Sequence, residues 1–484
     1  MADVWDGPLE KIDGIRWRIP RSYKKEMRVD GIIYADDELI ESVKKDRAPE
    51  QVVNVACLPG IVKHSLAMPD IHWGYGAPIG AVAAFDVDKG IVSPGITGYD
   101  INCGVRLVRT NLFYKDISGR IKEVIERLFE NVPSGLGSHG KIKVDEKEMK
   151  RLLLKGASWV VEKGYGTGQD LEFCEERGAM SGADPSLISP KSYQRGRSQI
   201  GTLGSGNHFL EVQRIDEVYD EKTARLFGLE KDGITVMIHS GSRGFGYQVC
   251  EDSLGKMRQA AAKYKITLSD RQLACAPVKS PEGQDYLASM RCAANYAWAN
   301  RQYLMHLARV SFEMVFKQKW PQLGMNLIYD VTHNIAKIEK HVIDGVEKTL
   351  CVHRKGATRA FPPGKRELPD KYKQSGQPVI IPGDMGTHSY LLAGTEGAEE
   401  TFYSTCHGAG RLLSRTEAKR RIEYKRLKNE LEEKGIVVIA HSPKTLIEEA
   451  PQAYKDINRV VDIVERAGIS KKVCRMTPLG VIKG

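Results

Sequence analysis

The sequence predicts an α+β fold, a single large catalytic domain with mixed β-sheets whose active site is built from strand-end loops. Short apolar runs bounded by Gly, Pro and Asp mix with helical stretches, without a regular strand–helix alternation. No repeat, low-complexity linker or shift of composition marks a boundary, so residues 1–484 are interpreted as one domain. Several apolar runs lead into glycine-rich loops that carry a histidine, which indicates one site assembled from several strands.

Composition narrows the class of protein. Of 484 residues, 41% are hydrophobic and 28% charged, which is typical of a globular protein with a sizeable core. A formal net charge of +10 is compatible with a polyanionic partner. The sequence contains no run of about twenty apolar residues, so no membrane span is predicted. The acidic first residues do not resemble a secretory signal. Nine scattered cysteines without a C-x-x-C pattern favour reduced thiols, and we expect a cytoplasmic protein.

Local patterns predict individual elements along the chain. A strand is expected at Gly31–Tyr34, and a helix from Ile121 that stops before Pro133. Residues 145–164 and the alanine-rich stretch 283–320 are predicted to be helical. Ser414 and Glu417 fit a capping box for a charged helix that ends near Gly435.

The stretch Ser93–Arg106 holds the first candidate site. Asp100 and Cys103 stand three residues apart, and Gly95, Gly98 and Gly104 permit a tight turn. A carboxylate and a thiolate in such a turn can face one divalent ion, and sulfur beside oxygen suits Zn²⁺ or Mn²⁺ better than Ca²⁺. A buried cysteine beside a solvated aspartate is the alternative interpretation of this pattern alone.

Four of the twelve histidines share one setting. His208, His239, His333 and His407 each stand at the end of an apolar run, beside Gly, Ser, Thr or Asn. Asp100, Cys103 and three histidines would give five ligands, more than one tetrahedral catalytic ion takes. Five ligands fit two ions bridged by the Cys103 thiolate, and paired ions are the usual clamp for displacement at phosphorus. Four of the other histidines are interpreted as ordinary surface or core residues: His139, His306, His341 and His441.

Features for phosphate binding are also present. His407-Gly-Ala-Gly is predicted at a helix start, which favours an anion. There is no P-loop and no dinucleotide-binding glycine motif after a strand. Asp70 and His72 allow two interpretations, a hydrogen-bonded turn or the rim of the site. Forked donors suited to phosphate come from Arg243, Arg411, Arg415 and Arg354, the last expected with His353 just past a strand.

Seven motifs in order carry a family resemblance: DINCGVR, GTLGSGNHF, MIHSGSRG, YDVTHNIAK, VHRKGATRAFPP, TCHGAGR and the terminal VIKG. From about Arg18 to Gly484 the chain resembles the RtcB family of RNA ligases. The resemblance implies a GTP- and Mn²⁺-dependent ligase with two ions. Its substrates would be RNA ends with a 3′-phosphate or 2′,3′-cyclic phosphate and ends with a 5′-hydroxyl, as in tRNA splicing and RNA repair. It also admits an archease-type activator as a partner.

The resemblance assigns roles residue by residue. It implies His407 as the histidine that becomes guanylylated, and as metal ligands it implies Asp100, Cys103, His208, His239 and His333. Around the nucleotide it implies Asn207, His208, Phe209, Leu210, Glu211, His333, Asn334, Pro382, Gly383, Asp384, Met385, Ser389, His407, Gly408, Ala409, Gly410 and Lys483. At RNA phosphates we expect Arg195, Arg243, Arg411 and Arg415. His388, beside the nucleotide loop, receives no role.

Two other functions remain compatible with the residues themselves. A two-metal phosphodiesterase or phosphatase acting on RNA ends would use the same ligands, but it would give His407 and Lys483 no task. An RNA-binding scaffold with a structural metal would need only the basic residues, and it would keep its RNA affinity after metal removal.

Overall fold

Two large mixed β-sheets form the framework of the computed structural model, which describes residues 4–484. The strands are β1 Glu10–Lys11, β2 Arg16–Ile19, β3 Asp30–Tyr34, β4 His64–His72, β5 Ile79–Asp86, β6 Ile91–Val92, β7 Gly104–Phe113, β8 Phe209–Val218, β9 Gly233–Ser240, β10 Ala276–Pro277, β11 Asn326–Thr332, β12 Asn334–Ile343, β13 Val346–Lys355, β14 Ala357–Arg359, β15 Pro378–Ile381, β16 Ser389–Gly394, β17 Ser404–Cys406, β18 Val437–Ala440 and β19 Ser470–Lys483.

The helices lie mostly between the strands in sequence. They are α1 Leu39–Lys44, α2 Ala48–Ala56, α3 Pro94–Thr97, α4 Tyr114–Ile117, α5 Ile121–Asn131, α6 Glu146–Lys155, α7 Ala157–Glu162, α8 Gly168–Glu172, α9 Pro190–Arg197, α10 Glu221–Phe227, α11 Arg243–Lys263, α12 Pro281–Phe316, α13 Arg415–Arg421, α14 Tyr424–Glu433, α15 Pro443–Glu448 and α16 Ile457–Arg466.

The strand order confirms the predicted α+β class with mixed sheets. One sheet runs β1-β2-β3-β4-β5-β13-β12, and its β3–β4 pair is parallel. The other runs β11-β7-β9-β8-β19-β16-β15, and β18 joins β19 in parallel. The remaining pairs within these two sheets are antiparallel, so successive strands of the second sheet alternate their starts and ends along each edge.

Helix α12 is buried along most of its length and supports the second sheet. From its middle, Arg301 donates to both carboxylate oxygens of Asp330 at 2.8 Å, and Arg106 joins the same carboxylate at 2.8 Å. Arg301 also donates to the carbonyls of Asn102 at 2.7 Å and Ser240 at 3.0 Å. This buried cation therefore ties α12 to the two backbone segments that precede Cys103 and follow His239.

Several predicted elements are confirmed and others are wrong in detail. The strand at Gly31–Tyr34, the helix that begins at Ile121 and the long helix α12 are confirmed. The helix predicted over 145–164 is two helices, because Gly156 between them has φ 57°. The helix predicted from Ser414 begins as expected, with Ser414 accepting from the amide of Glu417, but it breaks after Arg421 and resumes as α14.

The cysteines form no disulfide in the part of the chain that the structure describes. All nine are buried and unpaired, as expected for reduced thiols. Among residues 4–484 no helix combines the length and the apolar character that crossing a bilayer requires.

Candidate active site

The site lies at one edge of the second sheet, where four neighbouring strands begin or end. Cys103 directly precedes β7, His239 lies at the end of β9, and His208 directly precedes β8. His333 follows β11. The register places Gly104 opposite both Thr332 and Ser240, and Phe209 opposite His239 and Lys483. The antiparallel order thus brings together residues as far apart in sequence as Phe209 and Lys483, which confirms a site built from strand-end loops.

The turn that presents Asp100 and Cys103 is tight, as predicted. The amide of Cys103 donates to the carbonyl of Asp100 at 2.9 Å. The left-handed residue inside the turn is Asn102, with φ 54°, rather than a glycine. Gly104 serves close packing instead, since a Cβ there would lie 2.3 Å from the carbonyl oxygen of Val331.

The five predicted ligands form two clusters that share Cys103. Its Sγ lies 3.2 Å from His239 Nε2 and 3.3 Å from His208 Nε2. His239 Nε2 and His333 Nε2 are 3.3 Å apart. His208 Nε2 is 2.9 Å from Asp100 Oδ2. The donor atoms of Cys103, His239 and His333 all lie within 4.8 Å of one another, as do those of Asp100, Cys103 and His208.

The electrostatics of these ligands fit cation binding. Burial lowers the pKa values of His239 and His333 well below the usual range, so both imidazoles are neutral. Burial opposes ionisation of Asp100, but the hydrogen bonds with His208 and Cys103 and the nearby charge of Arg243 together outweigh it and lower the pKa of Asp100 to about 2. Burial raises the pKa of the Cys103 thiol, which a bound cation would reverse. One sulfur, three nitrogens and one oxygen form a donor set that suits Mn²⁺ or Zn²⁺.

His407 stands beside this pair of clusters and is oriented by Asp70. The imidazole rings of His407 and His333 pack edge to face, with centroids 4.8 Å apart. Asp70 Oδ2 accepts from the amide of His407 at 3.0 Å and lies 2.5 Å from its Nδ1. A carboxylate can only accept, so in the neutral imidazole Nδ1 carries the ring proton and Nε2 has the lone pair.

The helix start predicted at His407 is wrong. His407 directly follows β17, and the next helix begins only at Arg415. The loop between them is shaped by close contact instead. Gly410 has φ 76°, and a Cβ there would lie 2.3 Å from the carbonyl oxygen of Asp70. The anion-binding helix N-terminus that was predicted at His407 is therefore absent.

Lys455 fastens the Asp70 strand to the His407 loop. Its buried Nζ donates to the carbonyls of Pro69, at 3.2 Å, and Ile71, the two neighbours of Asp70. Its amide donates to the carbonyl of Gly410 at 2.9 Å. Burial lowers the pKa of Lys455 to about 8, and the nearby Asp70 carboxylate limits that decrease. Lys455 thus holds the segments that carry His407 and Asp70 together.

A cavity of about 850 Å³ connects the clusters, His407 and the predicted nucleotide residues. Most of the predicted residues line it, namely Asp100, Cys103, Asn207, Phe209, Glu211, His239, His333, Asn334, Pro382, Gly383, Asp384, Met385, His407, Gly408, Ala409, Gly410, Arg411, Arg415 and Lys483. Residues that sequence reasoning did not place there also line it, among them Trp73, Tyr75, Tyr99, Lys355, Glu449 and Tyr454.

The other predicted residues lie outside the lining. His208 contacts Asp100 and Cys103 from behind. Leu210 is buried in the core cluster of the second sheet. Ser389 accepts from the amide of Gly383 at 3.1 Å, so it shapes the loop rather than the cavity. Arg243 is partly buried and donates to Thr202, and Arg195 is exposed at the end of α9.

A buried acid and a buried base face the cavity together. Burial raises the pKa of Glu211 to about 8, opposed by a hydrogen bond from Gln213 at 2.5 Å and by the charge of Lys483. Burial also lowers the pKa of Lys483, which Glu449 and Glu211 oppose. Both side chains are at most 4% exposed, so the two charges depend on each other or on a ligand.

Two of the predicted RNA contacts already have protein partners. Arg411 donates to the carbonyl of Glu448 at 2.7 Å and to Tyr454 and Glu449 at 3.2 and 3.3 Å. Arg415 donates to Glu449 at 3.2 Å. Glu449 is fully buried and also accepts from the Tyr454 hydroxyl. The carboxylate of Glu449 therefore holds both guanidinium groups at the cavity wall.

The predictions for His353 and Arg354 are wrong, and His388, which received no role from the sequence, has a structural contact. His353 and Arg354 lie within β13 rather than past a strand. Arg354 is buried and pairs with Glu339 at 2.7 Å, so it is not available to a phosphate. His388 lies 3.0 Å from the Thr477 hydroxyl through Nδ1, which gives it a structural contact beside the nucleotide loop.

Comparison with known proteins agrees with the geometry. The family described as tRNA-splicing ligase RtcB matches residues 51–484. The chain belongs to the RtcB family. It is 56% identical to the tRNA-splicing ligase RtcB of Archaeoglobus fulgidus over 480 residues, and 55% identical to that of Thermococcus kodakarensis over 478, with 99% of each chain covered. It is also 55% identical to the Methanococcus maripaludis protein of that name, over 98% of this chain and 99% of the other.

Proposed function

We propose that this chain is a GTP- and Mn²⁺-dependent RNA ligase. It would join RNA ends with a 3′-phosphate or 2′,3′-cyclic phosphate to ends with a 5′-hydroxyl, through guanylylated His407 and an RNA with GMP on its 3′-phosphate. The observation that carries the proposal is His407, which Asp70 orients at Nδ1 and which packs against the cluster ligand His333.

The metal proposal rests on the shared thiol. Asp100, Cys103 and His208 would hold one Mn²⁺, and Cys103, His239 and His333 the other. When bound, the ions neutralise negative charge on phosphoryl oxygens and stabilise a displacement at phosphorus. Buried neutral imidazoles at His239 and His333 offer lone pairs for this purpose, and the fixed backbone at Asn102 and Ser240 holds the ligands in place.

The nucleotide would occupy the cavity between Glu211, Lys483 and the 407–410 loop. An ionised Glu211 can accept from both N1–H and the N2 amino group of guanine, which adenine cannot offer in that arrangement. The Lys483 ammonium would compensate that carboxylate or a phosphate. Because both groups are buried, hydrogen bonds from GTP to them would contribute more binding free energy than the same bonds at an exposed surface.

The reaction follows from the orientation of His407. Its Nε2 attacks the α-phosphorus of GTP, a phosphorus–nitrogen bond forms, and pyrophosphate leaves as its bond to that phosphorus breaks. Asp70 stabilises the imidazolium that results. An oxygen of the RNA 3′-phosphate then attacks the GMP phosphorus, which returns the electron pair to Nε2. Finally the 5′-hydroxyl loses its proton and attacks the RNA phosphorus, and GMP leaves. A cyclic phosphate would first be hydrolysed to a 3′-phosphate.

The experiment that tests the proposal combines labelling and ligation. Incubation with GTP and Mn²⁺ should add the mass of one GMP, in a bond that is labile in acid and stable in base. His407→Ala should remain unlabelled, whereas His139→Ala, a change at an exposed histidine, should be labelled normally. A short RNA pair with 3′-phosphate and 5′-hydroxyl ends should then be joined only by labelled protein.

The outcome separates this proposal from its alternative. A two-metal phosphodiesterase or phosphatase acting on RNA ends would release phosphate or open a cyclic phosphate without GTP and without a protein adduct. That result would contradict the ligase proposal but would remain compatible with metal binding by the two clusters.

The cellular setting belongs to the same proposal. The names of the relatives support tRNA halves, or broken RNA with the same ends, as partners, and the free buried cysteines are consistent with a cytoplasmic location. An archease-type activator would be a further partner. Single-turnover and multiple-turnover ligation by the isolated protein would test that: many turnovers without any added protein would argue against a required activator.

A further inference from the structure

Four aromatic residues lead from the cavity to the protein surface. Trp73 and Tyr75 lie in the loop after β4 and line the cavity. Tyr75 meets Tyr99 edge to face with centroids 5.0 Å apart. Tyr99, which also lines the cavity, stacks on Tyr247 of α11 at 4.7 Å and 27°. We call these four residues the aromatic row.

The two outer members of the aromatic row are exposed. Trp73 is 44% exposed and Tyr247 is 47% exposed, which leaves aromatic area in contact with water beside a cavity. The other tryptophans are buried or partly buried. Burial of apolar area stabilises a fold, so the exposed parts of these two rings contribute nothing to packing within the chain.

The backbone that presents Trp73 is fixed. Its amide donates to Asp46 Oδ2 at 3.0 Å. The next residue, Gly74, is held through both its amide and its carbonyl by the side chain of Gln51, at 3.0 and 2.6 Å. These hydrogen bonds fix the backbone of the loop, so a ligand that stacks on Trp73 loses little conformational entropy by ordering the loop.

Guanidinium groups accompany both exposed rings. Arg47 lies over Trp73 with its Cζ 5.4 Å from the ring centroid and also pairs with Glu50 at 2.6 Å. Arg195 lies over Tyr247 at 5.9 Å. Proteins that bind single-stranded nucleic acids combine aromatic side chains with cations, since bases stack on the rings and phosphates contact the cations. A peptide partner would call for acceptors and apolar pockets instead.

We propose that the aromatic row is a base-stacking subsite for the single-stranded RNA segment next to the end that reacts at His407. The inference rests on the proposed ligase function, because it takes the reacting end to be RNA. Trp73 stacks on a base within the cavity mouth, and Tyr247, backed by Tyr99, stacks on one farther along the strand. Since every base has an aromatic face, the subsite favours unpaired ends with little preference for sequence.

The test measures the affinity of the full chain for a 3′-phosphorylated RNA hexamer in the presence of Mn²⁺. Trp73→Ala and Tyr247→Ala should each bind about 5- to 150-fold more weakly, the loss typical of one stacked base. The slope of affinity against salt should stay that of the unchanged protein, because no phosphate contact is removed. Trp73→Phe, which keeps a ring, should retain most of the affinity.

Two matched controls come from elsewhere on the surface. Tyr114 is 38% exposed with Arg214 at 4.7 Å from its ring, and it does not line the cavity. Tyr219 is 41% exposed, stacks on Tyr390 at 24° and has Lys472 at 5.5 Å. They repeat the ring-and-cation arrangement away from the site, so Tyr114→Ala and Tyr219→Ala should bind the hexamer normally. Thermal unfolding should confirm that all variants are folded.

A second RNA series identifies the contact itself. In a series of hexamers with one abasic nucleotide each, one position should weaken binding to the unchanged protein by the same factor by which Trp73→Ala weakens binding to intact RNA. With RNA that is abasic at that position, Trp73→Ala should bind as tightly as the unchanged protein does, as expected for two changes that remove one interaction. Equal losses at every position, or normal binding by folded Trp73→Ala and Tyr247→Ala, would overturn the inference. The proposed function would fail separately, through absent GMP labelling and ligation in the unchanged protein.

Discussion

Asp70 contacts both the amide and the Nδ1 of His407, so the proposed chemistry of His407 should depend on it directly. Asp70→Asn keeps the shape, but its amide can donate to Nδ1 and favour the tautomer with the proton on Nε2, which removes the attacking lone pair. Guanylylation should fall by about 10²- to 10⁴-fold, the usual scale for a misplaced proton. The measurement is the rate of GMP labelling at saturating GTP.

Binding data complete the test of Asp70. GTP affinity and Mn²⁺ content should stay near those of the unchanged protein, since Asp70 is neither a cluster ligand nor a cavity-lining residue. Asp330→Asn, which alters a buried carboxylate of the α12 network, serves as the comparison and should instead reduce stability. Normal labelling by Asp70→Asn would show that Asp70 does not set the tautomer.

Glu211 predicts how GTP binding depends on pH. Its pKa of about 8 means that the carboxyl is largely protonated at pH 7 in the free protein, and only the ionised form accepts both guanine donors. The KM for GTP should therefore fall as pH rises from 6.5 to 8.5, by up to about tenfold per unit below the pKa. Glu211→Gln should show a flat profile and a weaker preference for GTP over ATP. An unchanged slope in that variant would assign the titration to another group.

The same shift has a consequence for stability. The folded protein keeps the Glu211 proton up to about pH 8, while an unfolded chain releases it near 4.5. The raised pKa therefore contributes stability below pH 4.5 that is lost progressively as pH rises toward 8. A site poised for GTP is thus less stable when it is ionised and empty.

At the scale of elements, the α12 helix sets the position of the ligand strands. Arg301→Met would leave the Asp330 carboxylate with one cation and would free the carbonyls of Asn102 and Ser240. We expect a loss of about 3–5 kcal/mol in the free energy of unfolding, the cost of breaking a buried ion pair. Denaturant unfolding measures it. Arg127→Met, which breaks an exposed pair with Glu130, should cost no more than about 1 kcal/mol.

The loop from His407 to Gly410 makes a second prediction at this scale. Gly410→Ala combines a positive φ with a Cβ 2.3 Å from the Asp70 carbonyl oxygen, so the loop or the strand must move. Gly364→Ala is the matched control, because its φ is 83° but no atom lies within 4 Å. Gly364→Ala should cost about 1–2 kcal/mol and leave GMP labelling intact. Gly410→Ala should cost more and lose labelling, and equal effects would argue against a role for this close approach.

For the molecule as a whole, residue type and local setting predicted the fold class and pointed to the residues that meet in the two clusters. Cys103, His208, His239 and His333 stood out, together with His407, because uncommon ligand types stood beside strand-like runs, and the family resemblance selected three of these four histidines as expected ligands. Asp70 was left between two interpretations, since its partner is 337 residues away and neither has a local pattern. The helix start at His407 failed because glycines there allow close backbone approach rather than a helix N-terminus. Contacts between distant segments are set by packing, which a single sequence does not display.

Under the proposed metal binding, the thiol of Cys103, which both clusters share, would couple ion binding to the stability of the whole molecule. The clusters join the ends of four strands, so each ion bound at 100 times its Kd should add about 2.7 kcal/mol to the free energy of unfolding. Tm should rise with Mn²⁺ concentration and fall on chelation.

Cys103→Ala should lose most of this dependence of Tm on Mn²⁺ because both clusters lose a ligand, whereas His208→Ala should lose only the part due to one ion. Cys57→Ala, a buried cysteine far from the clusters in sequence and outside the cavity lining, should keep it all. Two ions bound normally by Cys103→Ala, counted by titration calorimetry, would contradict the bridge and leave two independent sites.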